Sequence, residues 1–180
     1  MERHVKLSLS RFLVSSMILA AVTCNASERM VDGRGIGDLI IGQALPTLTP
    51  DRLLSRQWQS DENGERYELV RVAVKSVPVD VEVHDGRIWR ISVERRGLST
   101  RDGSQVGDSI QKLIHTNRLL RREIGPGPNL VLVPENICGI SYVTDDDLPE
   151  SLMQATPIEF PIEFVKSTLI RRIFVVGCKK

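Results

Sequence analysis

Three cysteines and a set of paired arginines are the residues in this 180-residue chain best suited to chemistry. Cys24 follows a short apolar run near the start, and Cys138 and Cys178 lie far downstream. A cysteine after such a run can accept a lipid, and two cysteines remaining in an exported chain can close a disulfide. Histidine offers little. His4 precedes the apolar run, His84 adjoins the turn signal Asp85-Gly86, and His115 falls in a helical stretch. No serine stands in a Gly-x-Ser-x-Gly elbow and no His/Cys spacing suits zinc. The acidic run "DDDLPE" (Asp145 to Glu150) lacks the alternation, central Gly and distal Glu of a calcium loop, so it reads as a solvated turn. The sequence thus predicts no catalytic residue, no metal site and no cofactor, and the expectation is a protein that is not an enzyme.

The arginine pairs Arg95-Arg96, Arg121-Arg122 and Arg171-Arg172, with Lys179-Lys180 at the end, allow two readings. Gathered on one face they could contact an anionic partner such as lipid headgroups or an acidic protein surface. Scattered, they only solubilise. The charge balance favours scattering. From 24 basic and 23 acidic residues, loss of Arg3, Lys6, Arg11 and Glu2 with a leader leaves 21 and 22. A dedicated nucleic-acid binder would carry a clear basic excess.

The N-terminus reads as an export signal. Arg3, Lys6 and Arg11 form a positive region, and the 11 residues Phe12 to Val22 form an apolar run. That run falls short of the roughly 18–20 residues needed to cross a bilayer as a helix. Ala26 and Cys24 supply small residues at −1 and −3 for a cut before Ser27, which would leave 154 residues as one domain or two packed halves. The rival cut lies before Cys24, with the cysteine lipidated. The preceding Ala21, Val22 and Thr23 fit a lipobox poorly, so the letters favour a soluble periplasmic product over an outer-membrane lipid anchor.

Beyond residue 34 the chain alternates turn signals with apolar patterns. Gly35 to Gly42 reads as a short strand, and Thr49-Pro50-Asp51 as a helix start running to about Arg56. Asn63-Gly64 and Asp85-Gly86 mark hairpins. A three-residue loop of His84, Asp85 and Gly86 would set Val83, Val81, Val79 and Val77 opposite Arg87, Trp89, Ile91 and Val93, keeping one face apolar. Lys75-Ser76 then brings Val74, Val72 and Val70 beside Val77, Val79 and Val81. The other face carries Asp80, Glu82, Arg90, Ser92 and Glu94, with Asp80 across from Arg90. An antiparallel sheet with one wet side needs a helix or second sheet on the other.

After Thr100, Asp108 to Gln111 resembles a capping box, and Ile110, Leu113, Ile114 and Leu120 keep helical spacing until "GPGP" (Gly125 to Pro128). Strands are expected at Leu130 to Val133, Cys138 to Thr144 and Leu169 to Cys178. Pairing Ile140 with Val176 and Tyr142 with Phe174 puts Cys138 opposite Cys178. The resulting disulfide would be worth about 4 kcal/mol in the chain-entropy model. The two halves, residues 27–99 and 100–180, also look alike. "IGQALPTL" (Ile41 to Leu48) matches "VGDSIQKL" (Val106 to Leu113), and "IWRISV" (Ile88 to Val93) matches "IRRIFV" (Ile170 to Val175).

These motifs, "GIGDL", "GRIWRISV", "VGDSIQKL", "GISYV" and "IRRI", resemble a proteobacterial family of unknown function that includes a sigma-E-regulated envelope lipoprotein. The likeness spans nearly all of the mature chain and implies a fold and an envelope location more than an activity. The lipobox is where this sequence departs from it. The helix-plus-sheet repeat is similar, more loosely, to the tandem architecture of β-lactamase inhibitor protein and to the small lipoprotein of the outer-membrane β-barrel assembly machine. The expected fold is α+β, two related halves each with a short helix on an antiparallel sheet, packed as one domain. The expected function is a non-enzymatic envelope module that binds another protein in assembly, stress response or inhibition. The alternative is a small-molecule or lipid binder using a groove between the halves.

Overall fold

The structure is a computed structural model, which describes residues 30–117, 120–124 and 129–178. The leader positions Cys24, Ala26 and Ser27, the Gly125 to Pro128 stop and Lys179-Lys180 lie outside the described residues. The fold is mostly β with two short helices. An eight-stranded antiparallel sheet carries the molecule and a small mixed sheet packs with it.

The large sheet begins with a four-stranded meander: β4 (Leu53–Ser60), β5 (Arg66–Val74), β6 (Val77–His84) and β7 (Arg87–Val93). The Lys75-Ser76 connection sets Val74 against Val77, Val72 against Val79 and Val70 against Val81, as the alternation predicts. All of these valines but the half-buried Val77 are buried, each contributing roughly 1.5–3 kcal/mol by leaving water. The next turn corrects the sequence reading. His84 pairs with Arg87 across a two-residue turn, and a bulge then restores the apolar face by making Trp89 the extra residue. Val81 therefore meets Ile91 and Val79 meets Val93. Asp80 pairs with Arg71 and Ser92, while Arg90 pairs with Glu82.

The second meander runs β9 (Leu120–Ile124), β10 (Asn129–Pro134), β11 (Ile140–Asp147) and β12 (Ile170–Val175). It joins the first edge to edge, giving the order β4-β5-β6-β7-β12-β11-β10-β9. The small sheet comprises β1 (Met30–Asp32), β2 (Gly35–Ile36), β3 (Leu39–Ile40) and β8 (Ser99–Thr100), with β1 and β8 parallel. Helices α1 (Ile110–Thr116) and α2 (Ile162–Ser167) add Leu113, Ile110 and Val165 to a core that also takes in Val31, Ile36, Leu39 and Leu98.

Several expected elements differ. Gly35 to Gly42 forms two short strands about a Gly37-Asp38 turn rather than one strand. Thr49 to Arg56 is not a helix. The Thr49 carbonyl accepts the Arg52 and Leu53 amides, a single turn, and the chain then extends into β4. Leu53 and Leu54 stay exposed, and a helix of so few residues with no buried stripe cannot repay its nucleation. The helix after Thr100 starts at Ile110 with Ser109 as its N-cap, makes no side-chain capping bond and stops at Asn117. Leu120 is therefore in β9. Of the acidic run, Asp145 to Asp147 extend β11, where Asp145 accepts the Leu169 amide at 2.7 Å.

Cys138 and Cys178 form the disulfide, with Cα atoms 5.1 Å apart. The ladder beneath it is shifted by one residue from the expected register, with Ile140 opposite Val175 and Tyr142 opposite Ile173. This shift keeps Ile173 and Val175 in the core and leaves Val176 exposed. Gly139 and Gly177, both at positive φ, turn the chain beyond the ladder.

The segments before β7 and β12 are held alike. Gly42 donates its amide to Ile88 at 2.7 Å, and Gly107 donates to Ile170 at 2.8 Å. Ile88 in turn donates to Gln43, and Ile170 to Asp108. Ala44 bridges to Arg87 and Ser109 to Leu169.

Candidate functional site

Strand alternation sends the buried valines of β5 and β6 to the core and their neighbours to the opposite, outer face. No described helix or strand adds to the core from that side, so long charged side chains finish it. Arg71 grips Asp80 with two bonds of 2.7 and 2.8 Å, and Arg90 reaches Glu82 at 2.7 Å. Arg172 pairs with Glu94. The guanidinium groups of Arg90 and Arg172 lie 4.7 and 5.3 Å from the centre of the Phe174 ring. Hydrogen bonding to Asp80 raises the Arg71 pKa further.

At one end of this face an aromatic row replaces the ion pairs. Tyr67 and His84 stand opposite each other and stack at 5.2 Å with an 8° interplanar angle. The Trp89 ring follows at 5.9 Å. Tyr67 donates its hydroxyl proton to Gln59 at 2.8 Å. Trp89 stays 63% exposed on its bulge. The indole thus rests against the His84 ring, which itself stacks on Tyr67, and most of its surface is open to solvent. The sequence register sets Trp89 opposite Val81 on the apolar face, whereas in the structure Ile91 takes that place and Trp89 is exposed. The bulge that aims it outward became visible only with the register.

Elsewhere a buried polar knot centres on Asp102. Its carboxylate accepts the Thr100 hydroxyl, the Asn117 side-chain amide and the Ser104 backbone N–H, the last at 3.0 Å. The Tyr142 hydroxyl lies 3.2 Å from both carboxylate oxygens and 3.0 Å from Thr100 Oγ1. Burial alone would raise the Asp102 pKa, but the bonds from Thr100, Asn117 and Ser104 outweigh it and hold the carboxyl below its ordinary value. Burial, with the Asp102 charge beside it, pushes the Tyr142 phenol well up. The knot ties the turn after β8, the end of α1 and β11 together. His115 stands apart, on the rim of a groove of about 610 Å³ lined by Ile114, Phe160, Ile162 and Val165.

The arginine pairs are dispersed. Successive residues of a strand face opposite ways, so Arg121 pairs with Glu123 while Arg122 donates to the Leu152 carbonyl. Arg171 and Arg172 sit three strands from β9, about 14 Å away. Arg96 binds Asp108 at 2.8 Å. Arg95 and Arg171 are exposed.

The architecture is thus that of an antiparallel-sheet scaffold, disulfide-closed, with an open charged and aromatic face. The disulfide fits an oxidising, extracytoplasmic compartment. No helix among the described residues is long and apolar enough to cross a membrane. No protein-family model and no curated protein matches the chain. Among solved structures it is similar to the uncharacterized protein yfeY from Escherichia coli, with 17% identity and a TM-score of 0.56 over 82% of this chain and 99% of that one. At that identity the likeness is one of fold.

Proposed function

We propose that this chain is an exported cell-envelope protein that acts as a non-enzymatic protein-binding module through the outer face of its large sheet. The observation that carries the reading is Trp89, exposed on a bulge and backed by His84, which stacks on Tyr67. Interfaces concentrate their energy in such aromatic anchors, and the surrounding Arg–acid pairs supply a polar rim. Arg95 and Arg171 are available to an acidic partner surface. The two halves, residues 27–99 and 100–180, are related by duplication in this reading. Its support is the matching amide bonds of Gly42 and Gly107 and the paired central strands β7 and β12. The soluble periplasmic form follows from cleavage before Ser27, and lipidation of Cys24 is the competing route.

The test replaces Trp89 with a photocrosslinking residue in living cells and identifies adducts by mass spectrometry. One reproducible protein adduct, absent when the same probe replaces Glu62, is expected. Trp89→Ala should weaken that partner by roughly 2 kcal/mol or more, about thirtyfold, without changing thermal stability. The absence of any adduct across the outer face would defeat the reading. A second reading, an apolar small-molecule or lipid binder, draws on the groove between α1 and residues 157–165, which lies within the second half. Native mass spectrometry with a retained ligand would favour it.

A further inference from the structure

Strand β4 is the least protected part of the sheet. Seven of its eight residues are exposed, including Leu54 at 50% and Trp58 at 62%. An edge strand offers a row of unpaired backbone groups, and natural proteins commonly shield it with charge, Pro or a covering loop. β4 has no Pro and one charge, Arg56, which Glu68 binds at 2.7 Å. Its partner strand fixes which groups point outward. Asp61 donates its amide to Glu65, and the ladder pairs Gln59 with Tyr67 and Gln57 with Leu69. Antiparallel residues alternate between bonding inward and outward, so 57, 59 and 61 bond β5. Arg56, Trp58 and Ser60 therefore direct their N–H and C=O groups at the open edge.

We propose that this edge takes a second copy of the same chain, β4 against β4, antiparallel about a twofold axis at Gln57. An isologous contact must bring outward residues opposite outward residues, which restricts the axis to whole-residue positions. An axis at Arg56 would oppose two like charges. An axis at Trp58 shortens the overlap within β4. The axis at Gln57 sets Arg56 across from Trp58 of the second copy, and the reverse, so that two cation–π pairs form on one face. The Trp58 ring already takes the Arg66 guanidinium at 5.3 Å and remains open. On the other face the two Gln57 amides lie side by side. The result is one continuous sixteen-stranded sheet with both Trp89 rings still free, independent of what the outer face binds.

A single strand about 27 Å long makes a footprint below the ~800 Å² per partner of a standard interface, so the dimer is weak, at roughly 10–100 μM. Sedimentation equilibrium on the purified chain carrying Cys24→Ser should show a concentration-dependent dimer. Trp58→Lys should weaken it at least about tenfold while leaving the melting temperature in place. In the same background Gln57→Cys should crosslink to a covalent dimer on mild oxidation, because the two Gln57 Cβ atoms face each other. Gln59→Cys should not, since Gln59 faces Ser55. A monomer at all concentrations, leaving the edge to a strand from another protein, would overturn the proposal. So would a dimer that survives Trp58→Lys or crosslinks equally at both positions.

Discussion

The two meanders of the large sheet are built to the same pattern and held by different means. The first, β4 to β7, is local. Each strand pairs with its sequence neighbour through a short turn, and the core contribution is spread over similar valines and isoleucines. The second, β9 to β12, is tied at a few special places. A 22-residue connection separates β11 from β12, and the Cys138–Cys178 bond spans it. The Asp102 knot meanwhile joins residues 100 to 117 with Tyr142. Stability distributed over many alike contacts tolerates single changes, whereas stability gathered at buried polar and covalent ties does not. Single substitutions should therefore cost more in the second half.

Asp102→Ala should show the largest effect. It strands the Asn117 amide and the Ser104 N–H in a buried setting and removes the acceptor facing Tyr142, costing about 3–5 kcal/mol by urea denaturation. Tyr142→Phe, which removes one donor and leaves the carboxylate its others, should cost only about 1 kcal/mol. The pH dependence has a defined sign. The folded Asp102 pKa is lowered, so its stabilisation is fully present above the unfolded value near 3.8 and is lost as pH falls through the folded value. Between pH 5 and 2 the wild type should lose more stability than Asp102→Asn. Equal losses would show that the knot does not depend on the charge.

The disulfide comes next. Replacing Cys138 and Cys178 together with Ala should cost up to about 4 kcal/mol by loop entropy, and reduction should lower the melting temperature of the wild type alone. An unchanged melting point would mean that β11 and β12 hold their register unaided.

Glycines sharpen the contrast. A Cβ on Gly139 would meet the Gly33 carbonyl oxygen at 2.4 Å and the Gly177 carbonyl carbon at 2.7 Å. Neither backbone can yield, because the β1 turn, β11 and the C-terminal segment converge there. Gly139→Ala should cost about 3 kcal/mol or more. In the first meander, Gly86 has a similar positive φ but open space around its Cβ position. Gly86→Ala should cost only its left-handed strain, about 1 kcal/mol. Comparable losses at the two sites would erase the distinction between the halves.

The same contrast governs what could be read from the letters. The valine register of β5 and β6 was legible because alternation and a tight turn act over a few residues. The bulge at Trp89 was not. A strict alternation can be preserved either by a longer loop or by an extra residue, and the sequence permits both. The disulfide was legible by pairing even though its register was off by one residue, since Gly139 and Gly177 redirect the chain beyond the ladder. The Thr49 to Arg56 segment carried good helix-start letters but too few residues to bury, and β5 claimed it as an edge. The Asp102 knot was only partly local: Thr100 and Ser104 lie two residues from the carboxylate, but Asn117 and Tyr142 join it only through tertiary packing. The candidate face was visible as a wet side, while its aromatic focus depended on that bulge.

The smallest effect tests the first meander from the opposite direction. Lys75 and Ser76 form a two-residue turn in which both have positive φ, 48° and 67°. Such turns match the twist of the strands they join but suit Asn and Gly best. Ser76→Gly removes the left-handed strain, about 1 kcal/mol, and gives back part of it through the greater freedom of the unfolded chain. The net should be a stabilisation of about 0.5 kcal/mol, seen as a higher denaturation midpoint at unchanged slope. A gain here beside the loss at Gly86 would show that the first meander's turns are limited by backbone strain alone. A loss would mean that the Ser76 side chain contributes a contact, and that the first half too depends on particular side chains.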